Sequence, residues 1–289
     1  MIITGIGDEA GASIEAQIRA HQALGWTHLE LRLVNDQNVA GALPDAEFDA
    51  TVRALETHGM QVAGFASAIG NWSRPIGGDF DLDRTELRRA IPRMQRLGTR
   101  FIRIMSWTGE GVPTSEWRRR AIDRCRELAA IAEDGGVVLT HENCVGWGGL
   151  SARHMLELEQ AVDSPAFKLL YDIGNVISHG YDPASFFDAI RGQFAYVHVK
   201  DARRNPEGGR SQDYVYCGDG DALLEPILRT LVREDGYDGV VSIEPHVAAI
   251  VHEPGRRVSE AQKQRSYLAY GRKFDALMRR VRGTEPEPA

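Results

Sequence analysis

The segment AYVHVKD at residues 195–201 shows the pattern that decides the fold: a short apolar run of β type ends in ionisable side chains. Three further runs of this kind are VVLTHEN (137–143), KLLYDIGN (168–175) and GVVSIEP (239–245). Near its end each run carries one acidic or imidazole group, namely Glu142, Asp172, His198 and Glu244. The repetition predicts a set of buried strands whose ends carry chemistry.

Four more strand candidates precede these runs, and segments of helical periodicity alternate with all eight. The additional strand candidates are IITGI (2–6), HLELRL (28–33), QVAGFAS (61–67) and FIRIMS (101–106). The helical segments are 13–24, 45–58, 84–97, 115–133, 151–163, 183–191, 222–234 and 257–281. Strict alternation of strand and helix predicts parallel strands joined by right-handed crossovers. Eight such units predict an α/β fold of the (β/α)8 TIM barrel type, with outer helices.

A doubly wound open sheet is the alternative architecture. It would carry a glycine-rich phosphate loop after the first strand, and GIGDEAG (5–11) lacks the GxGxxG spacing. No linker divides the chain, so residues 1–282 are predicted to form a single barrel domain. The polar tail at residues 283–289 contains prolines and is predicted to be disordered.

Composition restricts the class of protein. The 289-residue chain is 43% hydrophobic and 26% charged, as ordinary globular proteins are, and its net charge of −7 argues against a nucleic-acid partner. Three widely spaced cysteines without a CxxC pattern favour free thiols in a reducing compartment. Because neither a signal peptide nor an apolar run of membrane-spanning length is visible, we expect a cytoplasmic protein without a membrane partner. Homo-oligomerisation and a second type of subunit are left open.

Closure of a barrel would gather the four ionisable groups, because the carboxyl ends of all its strands surround one cavity. Three crowded carboxylates repel one another unless a cation lies between them. Two glutamates, one aspartate and one imidazole form a mixed oxygen and nitrogen set suited to one divalent ion. Mn2+ is the ion we predict, with Mg2+, Co2+ and Zn2+ as alternatives. Taken singly, any of the four groups would be interpreted as an ion-pair partner or a helix cap.

Five motifs resemble those of the xylose isomerase-like (β/α)8 superfamily, in its sugar phosphate isomerase/epimerase branch. They are HEN (141–143), YDIGN (171–175), VHVKD (197–201), GDGD (218–221) and IEPH (243–246), with ELR (30–32) in support. The resemblance implies that Glu142, Asp172, His198 and Glu244 bind the metal. It also implies that Glu142 and Glu244 exchange protons with the substrate, and that Arg204, six residues beyond His198, binds the substrate.

Two positions depart from the pattern of the epimerases in this superfamily. These enzymes have a histidine three residues after the metal-binding aspartate, where this chain has Asn175, which cannot carry a proton. His179, one turn further on, could partly compensate, but a solvated loop histidine is the favoured expectation. The pair Lys200–Asp201 is similar to branches nearer the inosose dehydratases than the tagatose-type epimerases. Both departures argue against simple 3-epimerisation of a ketose.

Several other side chains are expected to contact the substrate. Lys200 shares the strand parity of His198, so it would face the cavity, either as a cation for the substrate or as a salt-bridge partner of a ligand carboxylate. Arg32 has inward parity, and Trp107 is the loop tryptophan nearest its strand end, where an indole could pack against a sugar. The full predicted substrate-binding set is Arg32, Trp107, Asn143, Asn175, Lys200, Arg204 and His246.

The phosphorylation state of the substrate is not decided by the sequence. The stretch ARRNPEGGR (202–210), after the seventh strand, could hold a phosphate through its arginines, because barrels often bind phosphate with the loops after strands seven and eight. The same stretch is equally consistent with an exposed basic loop.

The resemblance and the residues together predict chemistry that proceeds through an enediolate. A metal ion that chelates a carbonyl oxygen and its neighbouring hydroxyl acidifies the C–H bond between them, and a carboxylate can remove that proton. Its return from the other face gives epimerisation, and its return to the adjacent carbon gives isomerisation. We therefore predict a divalent-metal-dependent isomerase or epimerase of a sugar or keto-sugar derivative.

Three other functions remain as alternatives. Loss of a group β to the carbanion would make the protein a lyase or dehydratase of a keto-sugar, keto-glycoside or inosose. A DNA-cleaving enzyme of the endonuclease IV type would need more histidine ligands and a basic face. A barrel that binds sugar without turnover is the last alternative.

Overall fold

A computed structural model, which describes residues 1–248 and 258–284, confirms the TIM barrel. Its eight parallel strands are β1 Ile2–Gly5, β2 His28–Leu31, β3 Gln61–Ala66, β4 Phe101–Ser106, β5 Val138–Gly146, β6 Phe167–Asp172, β7 Phe194–Val199 and β8 Val240–Ile243. From β2 to β8 each strand pairs with the next along the chain, and β8 pairs with β1. A single parallel bridge between Ile6 and Glu30 links the ends of β1 and β2, so the barrel is nearly closed.

Helices surround the sheet. They are α1 Ile14–Ala23, α2 Asp45–Thr57, α3 Asp81–Leu97, α4 Thr114–Asp134, α5 Ala152–Val162, α6 Ile173–Ser178, α7 Pro183–Ile190, α8 Leu224–Arg229 and α9 Glu260–Arg282. The segment predicted at 222–234 divides into α8 and one π-helical turn at Thr230–Glu234. The first residue of the segment predicted at 257–281 lies outside the described residues.

Two of the predicted strands end early because another local structure begins there. The run 168–175 stops at Asp172, because its carboxylate Oδ1 accepts the backbone N–H of Asn175 at 2.8 Å and so caps the short helix α6. The run 28–33 stops at Leu31, and Leu33–Val34 pairs instead with Gln37–Asn38 in a small antiparallel ladder. The strand ends at Leu31 and Asp172 therefore determine where the residues that follow them lie at the rim of the barrel.

The apolar core forms two layers. The larger layer lies between the strands and the outer helices, as parallel sheets covered by helices require. The smaller layer fills the lower interior of the barrel with Ala63, Leu170, Tyr196 and Val240. Above this plug the interior side chains are polar, so the fold presents a buried polar floor at the carboxyl ends of its strands.

The two ends of the described chain bear on other predictions. Gly283 closes α9 in the left-handed conformation (φ 74°), whereas residues 285–289 of the predicted tail lie outside the described residues. In the part of the chain that the structure describes, no helix is both long enough and apolar enough to cross a bilayer. The single domain and the cytoplasmic location stay predictions.

Candidate metal centre and substrate cavity

The four predicted metal ligands converge at the carboxyl ends of β5 to β8. The Nδ1 atom of His198 lies 3.7 Å from Glu142 Oε1, 4.0 Å from Asp172 Oδ2 and 3.6 Å from Glu244 Oε2. One ligand atom from each of the four residues falls within 4.8 Å of all the others. None of the four residues is more than 3% exposed. The barrel thus brings residues from four separate strands to one buried point.

The imidazole of His198 is oriented from below by Glu30. Its Nε2 lies 3.0 Å from both carboxylate oxygens of Glu30, which also accepts the hydroxyl of Tyr196 at 2.9 Å. With Nε2–H donating to Glu30, Nδ1 faces the carboxylates. Burial lowers the pKa of His198, but Glu30 and the two site glutamates outweigh burial and raise it well above 6.5. A cation among the carboxylates would take the place of the proton on Nδ1.

The two glutamates are each held through one oxygen by a buried arginine. Arg103 donates to Glu142 Oε2 at 3.1 Å, and Arg32 donates to Glu244 Oε1 at 2.9 Å. Asn175 donates from Nδ2 to the other oxygen of Glu142 at 3.0 Å. Each glutamate therefore has a fixed orientation and turns one oxygen toward His198.

Three buried atoms at this point have no hydrogen-bond partner among the described residues: Asp172 Oδ2, His198 Nδ1 and Glu244 Oε2. Buried polar atoms are almost always hydrogen-bonded, so three neighbouring buried atoms without a hydrogen bond require an explanation. The Nζ of Lys200 lies 3.0 Å from Asp172 Oδ2 and 2.6 Å from Glu244 Oε2, but at angles that make no hydrogen bond. Two carboxylate oxygens and an imidazole nitrogen are the donors that a divalent transition metal or Mg2+ takes.

The charge balance favours a cation as well. Burial, with Glu142 and Glu244, raises the pKa of Asp172 to about 8 against the opposing charge of Lys200. Burial also acts to raise the pKa of Glu142, but Arg103 and His198 lower it to about 2. Four buried cations at this point, Arg32, Arg103, Lys200 and the protonated His198, face six buried carboxyl groups. The carboxyl groups are those of Asp8, Glu9, Glu30, Glu142, Asp172 and Glu244.

A cavity of about 700 Å3 opens above this centre. Four of the predicted substrate-binding residues line it: Arg32, Asn175, Lys200 and His246. Arg32 is also bound to Asp8 through two hydrogen bonds from Nε at 3.1 Å and one from Nη2 at 2.8 Å. His246 has a left-handed backbone (φ 54°) and is held by Glu9, which accepts both its backbone N–H and Nδ1 at 2.8 Å.

The other three predicted substrate-binding residues lie outside the lining. Asn143 joins β5 to β6 by a reciprocal pair of bonds with the backbone of Asp172, at 2.6 and 2.8 Å. Trp107 is fully buried and donates its indole N–H to Asp83 at 2.8 Å, because its own left-handed backbone (φ 57°) turns the ring toward α3. Trp72, which is 45% exposed, lines the cavity in its place.

Arg204 is exposed and pairs with Asp182 at 3.3 Å, so it does not reach the cavity in this structure. Arg103 is the site residue that the sequence reasoning missed. A signal was present: in FIRIMS the arginine stands at an inward position of an otherwise apolar strand.

Comparison with known proteins establishes the family. Residues 18–268 match the sequence profile described as the xylose isomerase-like TIM barrel. The chain belongs to this family. It is 26% identical over 141 residues to the inosose dehydratase of Lacticaseibacillus casei, which covers 45% of this chain and 47% of that enzyme. It is 29% identical over 195 residues to the 2-epi-5-epi-valiolone 7-phosphate 2-epimerase of an Actinoplanes species, which covers 64% of this chain and 67% of that enzyme.

A solved structure supports the fold over the whole chain. The IolI protein with a bound zinc atom superimposes with a TM-score of 0.76 and is 16% identical in sequence, over 97% of this chain and 99% of that chain. The match to the dehydratase spans about half of that enzyme's length. The relatives therefore include both a dehydratase and an epimerase.

Proposed function

We propose that this protein is a divalent-metal-dependent isomerase or epimerase that acts on a sugar or keto-sugar derivative through an enediolate. The observation that carries the proposal is the convergence, beside Glu142, of three buried atoms that make no hydrogen bond among the described residues: Asp172 Oδ2, His198 Nδ1 and Glu244 Oε2. We propose Mn2+ as the ion, with Mg2+, Co2+ and Zn2+ as alternatives that the mixed donor set also suits, and the zinc of the IolI neighbour supports Zn2+ among them.

The proposed ion would be held by Glu142, Asp172, His198 and Glu244, and when bound it would acidify the C–H bond beside a substrate carbonyl. Glu142 and Glu244 are the proposed proton carriers. They lie on β5 and β8, with two strands between them, so they approach the centre from different sides. Because Arg103 and Arg32 each fix one oxygen, removal and return of a proton would need no reorientation of either carboxylate.

Dehydration is the second candidate, and Lys200 favours it. Its buried ammonium lies 2.6 Å from Glu244 Oε2, where it could protonate a departing hydroxyl while the glutamate accepts the proton from carbon. Asn175 stands where the epimerases have a histidine, and the similarity to inosose dehydratase points the same way.

The test is solvent-hydrogen exchange with and without metal. The protein is stripped with a chelator, reconstituted with Mn2+ and incubated in D2O with a panel of keto-sugars, aldo-sugars and inososes. We expect deuterium at the carbon beside the carbonyl with the carbon skeleton retained, and only in the reconstituted sample. Loss of water would select the dehydratase. Full activity in the stripped protein, or no reaction across the panel with bound metal, would contradict the proposal.

A further inference from the structure

The rim of the cavity differs in character from one side to the other. On the side of β2 to β4 it carries the apolar residues Leu33, Ala68, Trp72 and Met105 together with Asn38, Ser67 and Asn71. Arg32 and Arg103 line this side as well, and they are bound to Glu244 and Glu142. On the side of α6 and the loop after β7, the residues are polar or cationic: Ser178, His179, Arg210, Ser211, Gln212 and Tyr214. A substrate that enters this cavity therefore meets hydrogen-bonding groups on both sides, and the guanidinium on the side of α6 is that of Arg210.

Arg210 is set apart from the other arginines of its loop. Arg203 pairs with Asp213 at 3.7 Å and Arg204 with Asp182 at 3.3 Å, and neither lines the cavity. Arg210 lines the cavity, and no carboxylate of the described residues lies within 4.0 Å of its guanidinium. A cation that faces a cavity without an acidic partner is available to an anionic ligand.

The loop that carries Arg210 is anchored on both sides of this residue. The backbone N–H of Ser211 donates to the carbonyl of Ser178 in α6 at 2.9 Å, and the side chain of Asn205 donates to the carbonyl of Arg210 at 3.3 Å. The position of the guanidinium at the rim is thus supported by hydrogen bonds to the barrel and within the loop.

His179, the residue that follows α6, lines the same side of the cavity as Arg210. Burial lowers its pKa to about 4, and the charges of Arg210 and Lys200 act in the same direction, whereas Glu142 opposes them. The imidazole is therefore neutral at pH 7 and can donate one hydrogen bond to an anion without an ion partner of its own. Arg210 and His179 together form a cationic, hydrogen-bonding corner of the cavity.

We infer that this corner is an anion subsite, and that the substrate of the proposed reaction carries a phosphate ester or a carboxylate remote from its carbonyl. The inference rests on the proposed function for the orientation of the substrate, with carbonyl and neighbouring hydroxyl at the centre and the anionic group at Arg210. A cavity of about 700 Å3 has room for both ends of such a molecule.

The test compares three acyclic six-carbon polyols that differ at one end: glucitol, glucitol 6-phosphate and gluconate. None has an aldehyde or ketone group, so their binding is independent of turnover. Calorimetric titration into the Mn2+-loaded protein is expected to give an affinity at least tenfold higher for one of the two anions than for glucitol. Arg210→Ala should remove that preference, while the matched control Arg203→Ala, which alters an arginine of the same loop outside the cavity, should keep it.

Each outcome of the titration either supports the anion subsite or contradicts it. A preference for glucitol 6-phosphate alone identifies a sugar phosphate, and a preference for gluconate alone identifies a sugar acid. Equal affinities, a preference that survives Arg210→Ala, or no binding of any polyol would overturn the inference. Because the titration measures no turnover, failure of the exchange assay would leave an anion preference intact, and loss of that preference would leave exchange of neutral sugars intact.

Discussion

Replacement of Glu30 by glutamine tests whether His198 is prepared as a metal ligand. The carboxylate of Glu30 faces Nε2 of His198 with both oxygens at 3.0 Å and accepts the hydroxyl of Tyr196 at 2.9 Å. The amide of glutamine has nearly the same shape and can accept the Nε2–H bond with its one oxygen. Glu30→Gln therefore removes the negative charge and one acceptor while the packing stays intact.

We expect Glu30→Gln to lower the affinity for Mn2+ and to leave the fold intact. Partners that orient a metal-binding histidine are worth about 10- to 100-fold in affinity, which corresponds to about 1.4–2.7 kcal/mol. Glu30 is only 1% exposed, so solvent does not screen its charge and we expect the upper half of that range. The assay is competition for Mn2+ against a fluorescent chelator, with circular dichroism to confirm the fold.

Tyr196→Phe is the matched control, because it removes the other hydrogen bond to Glu30 and leaves the bond to His198. We expect it to change the affinity for Mn2+ less than Glu30→Gln does. If Glu30→Gln binds Mn2+ as tightly as the parent protein, the carboxylate does not prepare His198 and the reasoning fails.

Three further predictions concern neighbouring residues. Arg103→Lys should keep bound metal but slow solvent exchange about tenfold or more, since it loosens Glu142; an unchanged rate would show that the guanidinium is not needed for orientation. Asn143→Ala leaves two buried backbone groups of Asp172 unpaired and should lower the free energy of unfolding in urea by about 2 kcal/mol or more. Burial lowers the pKa of His21 to about 4, so the stability from its neutral form is present above pH 6.5 and is lost as the pH falls toward 4. This loss amounts to about 3 kcal/mol at most, and His21→Gln should show a shallower decline of unfolding free energy over that window.

The sequence was sufficient for the barrel because its strands are buried on both faces and end in ionisable residues. The same argument located Glu142, Asp172, His198 and Glu244, since parallel strands in a closed sheet must end at one rim. The inward parity of the strands also signals Glu30 and Arg103, because charged residues at inward positions need partners inside the barrel.

Other features depend on backbone conformation that the residue pattern does not encode. Helix α6 follows β6 without a loop because Asp172 caps it, and the strand pattern conceals this change. Trp107 turns away from the cavity through a left-handed backbone, which is rare for a residue with a side chain of this size. The resemblance singled out Arg204, but the path of one loop brings Arg210 to the cavity and leaves Arg204 paired with Asp182.

The central claim is that four residues from four strands hold one divalent cation, and anomalous diffraction from crystals grown with Mn2+ tests it most directly. The account predicts one manganese peak about 2.0–2.4 Å from Nδ1 of His198 and from a carboxylate oxygen of each of Glu142, Asp172 and Glu244. In that structure the ammonium of Lys200 should have withdrawn from the oxygens it now approaches at 2.6 and 3.0 Å. A crystal with excess manganese and no peak at this point, or a peak bound by other residues, would contradict the account.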